Sequence, residues 1–155
     1  MTSRSGSLAA LLAVLLALTG CASVTAQNER AVTRAFQDWQ HGRGGPLALL
    51  APEATWTVAG SSVVAGRYTS RQQLIDQVIA PLNERFSKPL VPKVRSIVAA
   101  GDTVVVLFDV DGTARDGQPY RNTYSWHLRF RGEQVVDVVA LFDPRAFDEL
   151  WQRVK

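Results

Sequence analysis

The 155-residue chain has a single cysteine, Cys21, and only two histidines, His41 and His127. One thiol excludes an intramolecular disulfide. With no second His or Cys near His127 in sequence, a metal centre has no ligand set to start from, so neither metal nor cofactor is expected. Charge is sparse too, at 20% of residues, and the formal balance is +3. Arg and Lys are scattered, with no basic run and no RNA-binding motif, which argues against a nucleic-acid partner. There is no internal repeat, no low-complexity tract and no Pro- or Gly-rich linker. A hydrophobic fraction of 46% in a chain of this length makes one ordinary globular domain.

Long apolar runs are also missing, with one exception. Leu8–Leu18 is unbroken, follows Arg4, and falls short of the roughly 20 residues a membrane span needs. It has the form of a signal-peptide core, which makes residues 1–20 a leader. The run ends in Leu18-Thr19-Gly20-Cys21, which resembles the lipobox of bacterial lipoproteins. That resemblance implies cleavage before Cys21, lipidation of its sulfur and anchoring in the cell envelope. Ala22 stands where an acid would favour retention in the inner membrane, so the outer membrane is the expected site where the cell has one. The competing reading is ordinary secretion, cleaved after Ala26 in Val24-Thr25-Ala26, with Cys21 discarded. Residues 21–27 then read as a polar tether and 28–155 as the domain.

Within the domain, Asn28 reads as the N-cap of a helix whose apolar stripe is Val32, Ala35, Phe36 and Trp39. Pro46–Leu50 reads as a helical turn closed by Pro52, Ala54–Ala59 as a short strand and Val63–Tyr68 as its return. Ser70 and Gln73 form a capping box for a helix carrying Leu74, Ile75, Val78, Ile79 and Leu82 inward. Pro81 kinks or splits that helix. Four strands follow, at Leu90–Ala100, Thr103–Ala114, Tyr120–Phe130 and Gln134–Phe142, with a turn at Asp116-Gly117. Asp143 caps a last helix with Pro144 at its first position and Phe147, Leu150, Trp151 and Val154 on its buried stripe. The order predicts an α+β fold, a curved, mostly antiparallel sheet wrapped around the N-terminal helices with a helix at the C-terminus.

The third of the four strands is the informative one. Tyr120, Asn122, Tyr124, Trp126, Leu128 and Phe130 share one face; Arg121, Thr123, Ser125, His127 and Arg129 share the other. An amide, a phenol and an indole in an inward row, where aliphatics would serve packing alone, point to a cavity with a few polar groups. Trp39, Trp56 and Tyr68 are further candidates for its wall, although a core role suits each equally. On the opposite face, Asp109 and Asp137 lie where they can pair with Arg121 or Arg129, so that face is solvated or packs on a second subunit.

Ala54-Thr55-Trp56, Gly66-Arg67-Tyr68, Tyr120-x-Asn122-x-Tyr124-x-Trp126, Phe130-Arg131-Gly132-Glu133 and Phe142-Asp143 stand in an order that resembles the SnoaL-like branch of the NTF2-like superfamily. The resemblance implies a conical α+β fold with one deep pocket, often dimeric through the sheet. The scaffold carries many chemistries, so activity has to be argued from residues. A ketosteroid isomerase needs a carboxylate base on the strand after the second helix, and Thr55–Gly60 holds no acid, with Val58 near that position. Limonene-type epoxide hydrolases need an Asp–Arg–Asp set, of which only Asp143 has a counterpart. The one catalytic constellation left is Asp143 as base with Asn122 and Tyr124 as donors, against which stands the helix-capping role of Asp143. The expected function is therefore an envelope lipoprotein that binds a small, partly apolar or aromatic molecule through Trp39, Trp56, Tyr68, Asn122, Tyr124 and Trp126, without catalysis. The alternatives are a SnoaL-like cyclase, isomerase or hydrolase acting on a carbonyl or polyketide-like substrate, and an assembly factor using the outer sheet face.

Overall fold

The structure, a computed structural model, describes residues 24–155. The leader, the lipobox and Cys21 lie outside the described residues. The first helix, α1, covers 24–40, so Val24–Gln27 is helical rather than a tether. Asn28 is not its cap but a buried residue within it. The reason is visible in the spacing: Thr25 and Asn28 extend the Val32–Phe36–Trp39 stripe backwards at helical intervals. Polar reach fastens this extension. Thr25 donates to the Gly101 carbonyl at 3.3 Å and Gln27 to Glu133 at 3.4 Å.

A 3-10 turn at Pro46–Leu49 leads into β1, Leu50–Val58. The strand starts earlier than the Ala54 expected, and Pro52 lies inside it. The missing N–H is tolerated because the ladder with its neighbour is broken by a register shift between Leu50 and Thr55. The return strand β2 is only Gly66–Tyr68. Val63 does not join it because Asp148 holds the turn: Ser62 Oγ donates to its carboxylate at 2.6 Å and the Val63 N–H at 3.0 Å. Ser70 accepts from the Gln73 N–H, as a capping box requires, and opens α2, Arg71–Leu74. A π-helical turn, Ile75–Ile79, carries the chain into α3, Ala80–Glu84. Widening the helix just ahead of Pro81 is how the missing proline N–H is absorbed without a break.

Strands β3 (Val91–Ala100), β4 (Thr103–Thr113), β5 (Pro119–Arg131) and β6 (Gln134–Phe142) form an antiparallel run, and β1 and β2 also pair antiparallel. The sheet order is β2-β1-β6-β5-β4-β3, and β1 runs parallel to β6. The closing helix α4 is Pro144–Arg153. All six inner-row residues of β5 are buried. With Phe36, Phe108, Leu74, Phe147 and Leu150 they make the core between the sheet and the helices.

The outer face carries Val105, Leu107, Val139 and Leu141 beside Ser125 and His127, in register across β4, β5 and β6. Asp109 pairs with Arg95 at 2.7 Å, Asp111 with Arg121 at 3.1 Å, and Asp137 with Arg129 at 3.8 Å. Of the pairings expected for Asp109 and Asp137, the second is present, whereas Asp109 takes the cross-strand Arg95. A hydrogen bond from Thr123, then Arg95, holds the Asp109 carboxyl below its usual range.

Candidate functional site

Between the sheet and the helices lies a cavity of about 430 Å³, within the span of roughly 300–1,000 Å³ usual for small-molecule sites. One wall comes from the sheet. Trp56 and Val58 of β1, Phe108 and Val110 of β4, Tyr124 and Trp126 of β5, and Ala140 and Phe142 of β6 face it. Leu74, Val78, Ile79 and Leu82, from α2 through α3, stand opposite; Trp39, the 44–48 loop and Asn83 complete the lining with Leu90 and Phe147.

Trp126 is the hub of this wall. Its ring lies 4.9 Å from Trp56 and 4.9 Å from Phe108, both edge-on, and stacks on Trp39 at 6.0 Å with 12° between planes. Such edge-to-face pairs are favoured by the ring quadrupoles. Trp56 and Trp126 meet diagonally across β6: Trp126 pairs with Ala140, and Trp56 with Val138 one row along. Tyr124 stacks on Phe108 at 5.4 Å and meets Phe142 at 5.3 Å.

Of the residues singled out from sequence, Trp39, Trp56, Tyr124 and Trp126 come together on the cavity wall. Tyr68, Asn122 and Asp143 do not line it. Tyr68 donates its hydroxyl to the Val64 carbonyl at 2.7 Å and serves the β2 turn. Asn122 spends its amide behind the wall, donating to the Tyr120 hydroxyl at 3.0 Å and the Asp143 carbonyl at 2.9 Å, and accepting from the Asp143 N–H at 3.0 Å. Asp143 uses its carboxylate to cap α4, accepting from the Arg145 N–H at 2.9 Å. The acid and the amide proposed as a catalytic set are thus tied to the β6–α4 junction.

Sequence reasoning missed Val58, Phe108 and Val110 on the sheet side and the 44–48 loop on the other. The strand residues had a usable signal, since Phe108 and Val110 alternate in step with Tyr124 and Asn122, their register partners. The loop had none.

The electrostatics of the wall are simple. Among the described residues it carries no Asp, Glu, His, Lys or Arg, and its only titratable group is the Tyr124 phenol. Burial, then the neighbouring Tyr120, pushes that phenol well above its usual 10.0. Burial also raises Tyr120, against the opposing effect of its hydrogen bonds with Tyr124 and Asn122. Both stay neutral at physiological pH. A neutral, aromatic wall is a poor environment for an unpaired charge.

The SnoaL-like domain family matches residues 30–138. The chain belongs to the SnoaL-like family. Its architecture is the NTF2-like one, and solved structures agree with it. Bal32a, from a soil-derived mobile gene cassette, superposes with a TM-score of 0.68 at 20% identity, over 83% of this chain and 98% of its own. An NTF2-like protein from Burkholderia thailandensis E264 gives 0.65 at 20% identity, over 79% and 96%. A Jannaschia sp. CCS1 protein assigned as a SnoaL-like polyketide cyclase gives 0.66 at 19% identity, over 85% and 96%. At these identities the likeness speaks for the fold alone. No curated protein matches the chain.

Proposed function

We propose that this SnoaL-like protein is a cell-envelope lipoprotein whose cavity holds a small, uncharged, largely apolar or aromatic molecule without transforming it. The observation that carries this reading is the lining: an aromatic cavity of about 430 Å³ without one acidic or basic side chain among the described residues. Cyclases, isomerases and hydrolases on this scaffold require a group to take up or deliver a proton, and general acid–base catalysis needs that group within hydrogen-bond reach of the substrate. The nearest candidate, Asp143, is engaged as a helix cap. A binding role asks for shape, apolar surface and a few donors, and the wall supplies them.

The anchoring half of the reading rests on Leu18-Thr19-Gly20-Cys21 behind the apolar run of the leader. On the other side of the sheet, the apolar band of Val105, Leu107, Val139 and Leu141 supports pairing with a second copy of the chain. The test is mass spectrometry of the full chain purified without denaturation. A neutral small molecule released on unfolding is expected, and Cys21→Ser should move the protein out of the membrane fraction. A chain that is empty from its native source and turns over a carbonyl panel would overturn the binding reading.

A further inference from the structure

The two ends of the domain differ. At one end are the β3–β4 turn, Gly101-Asp102, and the β5–β6 turn, Gly132-Glu133. The inner residues beside them, Val104, Leu128 and Val135, are wholly buried and stand outside the cavity wall. Phe108, Tyr124 and Phe142 of the same three strands form one row, Tyr124 pairing with the other two, and all three line the cavity. That row is about 23 Å along β5 from Arg131 at the strand rise. The domain is packed at its turn end and hollow towards the other.

Helix α1 connects the ends. Its first turns are held to the turn end, Thr25 donating to the Gly101 carbonyl at 3.3 Å and Gln27 to Glu133 at 3.4 Å. Its last residue, Gln40, donates to the Pro92 carbonyl at 3.0 Å, and Pro92 pairs with Val110 of the cavity wall. Gly44 and Ala48, in the loop that follows, are exposed members of the lining. So is Asn83, close in sequence to Phe86 and Ser87, which pair with Ala114 and Thr113 beyond the cavity row of β4. The cavity thus opens away from the turns, near the C-terminal end of α1.

Length decides what this means for an anchored chain. Cys21 is three residues before Val24, so it lies within about 11 Å of the start of α1 whatever path those residues take. Residues 24–40 of α1 make a helix about 25 Å long. A tether this short cannot carry the cavity end round to the bilayer. We infer that the lipidated chain stands with its β3–β4 and β5–β6 turns towards the membrane and its cavity towards the aqueous compartment, and that it exchanges its ligand with solution, not with the lipid phase. This rests on the lipoprotein reading above and adds the side from which the site is filled.

The test uses the lipidated full chain, added to preformed phosphatidylcholine vesicles that contain a lipid spin-labelled on its headgroup. A maleimide fluorophore is placed by Arg131→Cys at the turn end, by Arg115→Cys at the opposite end and by Asn83→Cys at the cavity; the sulfur of Cys21 is blocked by lipid. With about 25 Å between the ends, the label at position 131 should be quenched at least about threefold more than the other two. Equal quenching at the three positions, or stronger quenching at 83 or 115, overturns the inference. Equilibrium dialysis with 2-naphthol, protein-free vesicles being subtracted, reads the exchange itself. The anchored chain and the soluble Cys21→Ser chain should bind it within about twofold of each other, and a loss above about tenfold on anchoring overturns the inference. Binding by neither form overturns the binding reading and the exchange inferred here, whatever the quenching. If the wild-type chain does not float with the vesicles, the lipoprotein reading and this inference fall together. If it floats and the quenching order is reversed, this inference fails alone.

Discussion

Asn122 holds both backbone polar groups of Asp143, accepting its N–H at 3.0 Å and donating to its carbonyl at 2.9 Å. This clamp joins the middle of β5 to the end of β6 where α4 begins. Asn122→Ala would strand two backbone groups and the Tyr120 hydroxyl in a buried place. The expected loss is about 2–4 kcal/mol, from three hydrogen bonds of roughly 1 kcal/mol each with added cost for groups left unpaired. Urea unfolding measures it; a change below about 0.5 kcal/mol would show that the clamp is dispensable.

Asp143 separates capping from catalysis cleanly. Asn caps a helix about as well as Asp, so Asp143→Asn should melt like wild type, while Asp143→Ala should lose about 1 kcal/mol. Thermal melts of the two variants decide this. A catalytic base would instead leave Asp143→Asn as inactive as Asp143→Ala in activity assays, despite its full stability.

The chain has three tyrosines, and burial raises all of them: Tyr68, Tyr120 and, most, Tyr124. A folded-state pKa above the unfolded value means the folded chain keeps protons that the unfolded chain gives up. That stability is fully present below pH 10 and is lost as pH rises beyond it. A titration followed at the phenolate absorption band should therefore show little ionisation at pH 10, with the tyrosines ionising together as the chain unfolds at higher pH. Half-ionisation near pH 10 with the fold intact would contradict the burial of this row.

Leu141 is 43% exposed and Val98 62%, beside Leu107, Val105 and Val139 on the outer sheet face. Three Arg–Asp pairs lie on the same face and fix its polar surroundings. A second copy docked there would bury this band, and Leu141→Arg should then turn a dimer into a monomer in sedimentation analysis without lowering the melting temperature. A wild-type chain that sediments as a monomer at micromolar concentration would remove the sheet-face interface from the account.

Much of this molecule was legible because β5 obeys a period of two. Parity alone placed Tyr120, Asn122, Tyr124, Trp126, Leu128 and Phe130 inside, and all are buried. Parity says which face a side chain takes, not what lies across from it. That is why Asn122 reads as cavity wall in the sequence yet is held by Asp143, 21 residues away. The meeting of Trp56 with Trp126 depends on the parallel β1–β6 pairing, which no local pattern announces. Asn28 differs from its sequence reading for a related reason: it is a good cap by type, but it lies buried within α1.

The central claim is that the aromatic hollow is a binding site, and a titration with the neutral fluorophore N-phenyl-1-naphthylamine tests it most directly. Wild type should give saturable one-to-one binding with a blue-shifted emission. Val78→Trp, which fills the hollow from the π-helical turn, should weaken binding at least about tenfold, the equivalent of 1.4 kcal/mol, while keeping the wild-type circular dichroism. Equal binding by the two proteins, or none by either, would contradict the account.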